Sequence, residues 1–159
     1  MAEVFARHDV VVRCPSAEEW AKDANGAGVW SYANIRGDYV ALQPALCAGA
    51  IGVADIELPA WQRAAGVLAL VHESYHLRRW RYRRDEARVM CAAIRQFTVA
   101  AQLLGASPAV ANDLLPFALA LHLRTVQLFP LYRPRSCRLP VWRPPPSQDH
   151  VSDRKEEEE

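Results

Sequence analysis

The pattern of apolar and polar positions changes character at Pro59, dividing the chain into a strand-rich first third and a helical remainder. In the first part, "VFARHDVVVRC" is rich in β-branched residues and predicts a strand. "PSAEEWAKDA" predicts a helix, with Ser16 at the N-cap and Glu19 three residues on to close a capping box. "GVWSYA" and "DYVALQP" flank the turn "NIRG" and predict a hairpin. "PALCAGAIG" predicts an irregular or briefly helical connection.

After Pro59 the apolar positions recur at helical spacing. "PAWQRAAGVLALVHESYHLRRW" predicts one long helix, apolar over most of its surface through Val71, which is the profile of a buried central element. Asp85 can cap a second helix, "EARVMCAAIRQFTVAAQLLG", closed by Gly105. Ser107 and Pro108 open a third helix that runs to about Leu128, with a bend expected at Pro116. Beyond Phe129 the chain turns proline-rich and ends in "KEEEE", which reads as a solvated tail. The expected fold is α+β: a small antiparallel sheet on a core of three main helices. Residues 1–132 form a single domain in this reading, and 133–159 a proline-rich strap with an acidic tail.

Composition narrows the function only a little. A chain of 159 residues that is 51% hydrophobic and 23% charged suits one globular domain. A formal net charge of +1 gives no bulk reason to bind nucleic acid or a membrane surface. No run approaches the roughly 18 apolar residues of a membrane span, and the first residues lack the order of a secretory signal. The expected compartment is the cytoplasm, where Cys14, Cys47, Cys91 and Cys137 would be reduced. In an exported protein the four could form two disulfides in any of three pairings. No CxxC pair is present, so a zinc ribbon is excluded.

The chemistry concentrates in "LVHESYHLRRWRYRRDEARVMC". On a helix, residues four apart lie about 40° from each other around the axis and roughly 6 Å along it. His72 and His76 therefore point the same way, close enough to share one small cation. Two neutral imidazoles suit Zn²⁺, and Glu73 borders the same face, where a carboxylate can take a proton from an activated water. This is the HExxH arrangement, which composition alone would produce about 0.01 times in such a chain. A catalytic zinc needs a third protein ligand. Glu86, in the first turn of the returning helix, is the candidate, with Asp85 as the alternative.

The stretches "LALVHESYHL" and "DEARVMCAAI" resemble the gluzincin branch of zinc metallopeptidases, in which a glutamate on the next helix completes HExxH. Within that branch the likeness is to compact bacterial ImmA/IrrE-like and other small zincin-like proteins, over residues 38 to 105. The resemblance implies His72, His76 and Glu86 as ligands, Glu73 as general base, and a peptide or protein substrate. It also implies that "GDYVALQP" is the edge strand over the active-site helix. Two departures stand out: Arg78 occupies a position usually apolar in zincins, and the interval from His76 to Glu86 is short.

Other residues carry weaker signals. "RRWRYRR" could grip phosphates and stack on bases. Its short length and the lack of a matching basic surface favour a solvated turn, or arginines paired with nearby acids, over nucleic-acid binding. The arginines could also line a cleft mouth that favours acidic substrates. His122 reads as a core histidine, and either it or Tyr132 could stabilise an oxyanion. Trp20, Trp30, Trp61 and Trp142 are expected to pack, while His8 and His150 carry no role. The leading function is a zinc-dependent hydrolase of the metallopeptidase type. The alternative is a zincin-shaped regulatory or interaction protein that does not cut.

Overall fold

The computed structural model describes residues 1–23, 29–78, 85–133 and 137. Its elements, in chain order, are α1 (Ala2–Ala6), β1 (Val11–Arg13), α2 (Ala17–Lys22), β2 (Ser31–Asn34), β3 (Tyr39–Leu42), α3 (Pro44–Ile51), α4 (Ala60–Leu77), α5 (Glu86–Leu103) and α6 (Pro108–Leu128), followed by a 3₁₀ turn at Pro130–Tyr132. The class is α+β, a three-stranded sheet against a mainly helical core.

The first strand is shorter than the sequence implied. Ala2, Phe5 and Ala6 lie at spacings of three and four, and that stripe is buried in α1, which packs on α4. Only Val11–Arg13 extend as a strand. The sheet order is β1-β3-β2, with β2 antiparallel to β3 and β1 parallel to it. The sheet is therefore mixed, not antiparallel. The hairpin inserts its second strand beside β1, and the hairpin's geometry sets that strand's direction. Asn34 shapes the hairpin turn, its Oδ1 accepting from the N–H groups of Arg36 and Gly37 at 3.1 and 2.9 Å. β3 is central and its Val40, Ala41 and Leu42 are buried, so the strand expected at the edge is the middle one. The free edge near the helices belongs to β2.

The connection at "PALCAGAIG" is a full helix, α3, with Pro44 in its first turn. It is a fourth longer helix beside the three expected. It lies against α4 at very short range: a Cβ on Gly49 would stand 2.2 Å from the Gln62 carbonyl oxygen, and one on Gly66 2.3 Å from that of Leu46. Only glycine permits this approach.

α4 is the hub, touching α1, α3, α5, α6, β2 and β3. One side of it joins Val89, Ile94, Phe97 and Leu114 of α5 and α6 in the larger core. The other side meets Val40, Leu42, Leu46 and Ala50 of the sheet and α3. The expected caps are present. Ser16 and Glu19 form their capping box, Asp85 accepts from the Arg88 N–H at 2.9 Å, and Ser107 from the Val110 N–H at 3.2 Å. Gly105, at φ 105°, closes α5, and α6 continues through Pro116.

All four cysteines are paired, Cys14 with Cys47 and Cys91 with Cys137, one of the three pairings that the sequence leaves open beside free thiols. Trp30 and Trp61 are exposed and do not pack as expected, whereas Trp20 stacks on Tyr32. Trp142, His150, the arginine-rich stretch at 79–84 and the acidic tail lie outside the described residues. So does most of the expected strap, of which Arg133 and Cys137 alone are described.

Candidate metal centre

α4 presents His72 and His76 one turn apart on a buried face. α5 returns antiparallel beside it and starts at the level of their rings, because Asp85 caps its first turn and leaves Glu86 as the first helical residue. Nε2 of His72 lies 3.1 Å from Nε2 of His76 and 3.1 Å from Oε2 of Glu86. The third edge, His76 Nε2 to Glu86 Oε2, is 3.3 Å. His72, His76 and Glu86 thus converge on one point and form a group that could hold a metal ion. Asp85 is engaged instead with Arg88, as a cap and at 3.4 Å as an ion pair.

These distances fit a cation better than hydrogen bonds. Each Nε2 carries at most one proton, so two protons must serve three edges and one contact is always left without a donor. Ligands at about 2.0–2.1 Å around a tetrahedral ion stand about 3.3–3.4 Å apart, close to the triangle found. With Nε2 turned to this centre, His72 depends on Nδ1 for further support. Nδ1 is buried without a hydrogen-bond partner among the described residues. Its ring is held instead by packing, with the Tyr132 ring 5.8 Å away.

The site is strongly polarised. Burial raises the Glu86 carboxyl, but the hydrogen bonds and charges of His72 and His76 outweigh it and hold the group well below the usual carboxylate range. Tyr132 is pushed up to about 12 by burial and by the negative charges of Glu86 and Glu73, so its hydroxyl keeps its proton at neutral pH. His122 is buried in α6 and held down by burial; it does not line the cleft. Of the two expected oxyanion donors, the fold brings Tyr132 to the site and leaves His122 in the core.

Glu73 also faces this cleft, a hollow of about 240 Å³ whose other wall is β2. Ser31, the first residue of β2, donates its hydroxyl to Glu73 Oε1 at 2.7 Å. Sequence reasoning missed Ser31, as it missed Tyr32 and Ala33 on the same wall. The signal was present in "GVWSYA", but only the order of the strands reveals that this one borders the helix. Ser74, between the histidines, turns away and donates to the Leu70 carbonyl at 2.6 Å.

Neither a protein-family model, nor a curated protein, nor a solved structure matches this chain.

Proposed function

We propose that this protein is a zinc-dependent hydrolase, most readily a small metallopeptidase, in which His72, His76 and Glu86 hold the ion. The observation that carries the reading is the closed triangle of two imidazole nitrogens and one carboxylate oxygen, with a further carboxylate, Glu73, beside it. Zinc in that position supplies an electrophile that polarises a carbonyl and acidifies water.

The chain's own groups do the rest. Glu73 takes a proton from the attacking water and delivers it to the leaving amine, a role that suits a carboxylate one residue from a ligand. Tyr132, protonated at neutral pH, donates to the oxygen on which negative charge develops. Glu86 stays ionised and keeps the ligand set anionic. β2 and the Tyr132 ring wall the cleft on two sides. The two disulfides favour an oxidising compartment as the place where this chemistry occurs, in place of the cytoplasm.

A second reading, an interaction or regulatory protein that does not cut, with or without metal, draws on the small volume of the cleft, about 240 Å³. One experiment separates the two. The purified protein is analysed for metal, then incubated with a broad peptide library before and after chelation and zinc replenishment. Cleavage that vanishes with the metal and returns with it supports the hydrolase; bound zinc with no cleavage supports the second reading; absence of zinc binding removes the hydrolase.

A further inference from the structure

We infer that Ser31 is a positioning residue for Glu73; this rests on the reading of Glu73 given above. Among the described residues, Ser31 is the one hydrogen-bond partner of the Glu73 carboxylate. The bond joins residues 42 positions apart and crosses from the edge strand to the central helix. Glu73 has three side-chain torsions, and burial alone does not choose among their combinations. The Ser31 hydroxyl makes that choice by anchoring Oε1 at 2.7 Å, which leaves Oε2 as the oxygen available to the cleft.

The strand is itself fixed well enough to serve as an anchor. Ser31 pairs with Leu42 of β3, and Leu42 is fully buried under the sheet. A hydroxyl on so short a side chain has little freedom of its own, so the precision of the sheet passes to the carboxylate. The Ser31 hydroxyl bonds to Glu73, which lies outside the three groups that converge on the metal point, so its effect on metal binding and its effect on Glu73 are separable.

The test uses the zinc-loaded protein with acetohydroxamic acid as the probe, since a hydroxamate chelates the metal and hydrogen-bonds an adjacent carboxylate. Calorimetry is run on wild type, Ser31→Ala, Ser31→Thr, Glu73→Gln and the Ser31→Ala/Glu73→Gln double variant. Ser31→Ala is expected to bind zinc as wild type does and the hydroxamate about 10-fold more weakly. Ser31→Thr, which keeps the hydroxyl, should restore the wild-type value, and in the Glu73→Gln background the serine substitution should add nothing further. Ser31→Val repeats the comparison against Ser31→Thr with a side chain of equal shape, should the alanine variant fold poorly. Hydroxamate binding unchanged in Ser31→Ala but weakened in Glu73→Gln overturns the role of Ser31 and leaves the hydrolase reading standing. So does a loss of equal size in both backgrounds. Unchanged binding in Glu73→Gln removes the reading of Glu73 and the inference with it.

Discussion

Oε2 of Glu86 stands 3.1 Å from Nε2 of His72, although the two residues are 14 positions apart on different helices. The contact exists because α5 starts at Glu86 and not a turn later. If the group holds zinc, the purified protein carries about one ion per chain, and His72→Ala or His76→Ala reduces this to a small fraction. Glu86→Gln weakens zinc binding strongly, while Asp85→Asn leaves it near wild type and costs only helix stability. Atomic absorption on the four variants decides. Equal zinc in all of them would contradict the assignment.

Glu73 lies outside the metal triangle, so its removal should spare the ion. Glu73→Gln is expected to retain zinc in full and to lose about 10²–10⁴-fold in turnover on any peptide the wild type cleaves. Loss of zinc together with activity would make Glu73 a ligand and not a base.

Tyr132 ties the pH dependence of stability to the site. Its pKa in the folded protein is raised from 10.0 to about 12, so the folded state holds this proton more tightly than the unfolded state does. The associated stability is complete below pH 10 and is lost as pH rises toward 12. Denaturant titrations of the metal-free protein between pH 8 and 11.5 should show a steeper alkaline decline in wild type than in Tyr132→Phe. Identical slopes would place the tyrosine in a water-like setting.

Gly66 is the point where α3 and α4 touch backbone to backbone. A methyl group there would stand 2.3 Å from the Leu46 carbonyl oxygen and 2.4 Å from the Ala50 nitrogen. Neither neighbour is a flexible side chain, so the helices must part. Gly66→Ala is expected to destabilise the fold by about 1–3 kcal/mol, measured by urea denaturation, despite alanine's better helix propensity. A stabilised variant would show that the two helices are less closely apposed.

The Cys14–Cys47 bridge joins the residue after β1 to α3 across 33 residues. Replacing both cysteines by serine should lower stability by about 2–4 kcal/mol. Thiol counting on the unfolded, unreduced protein checks the pairing first: four free thiols would mean that neither bridge forms.

What could be read along the chain was local. The helices α4, α5 and α6 were legible because an apolar stripe and its caps are properties of neighbouring residues, as at Asp85, Gly105 and Ser107. The His72–Glu73–His76 face was legible for the same reason, since one turn of helix sets it. Val4 and Phe5 misled, because β-branched and aromatic residues favour strands; here Phe5 buries in a helical stripe with Ala2 and Ala6, and Val4 faces outward. That Glu86 and not Asp85 meets the two imidazoles, the parallel pairing of β1 with β3, the pairing of the cysteines, and the approach of Ser31 and Tyr132 to the cleft are visible only in three dimensions. Each depends on where one element lies against another far along the chain, and that is decided by how the two faces of α4 are buried.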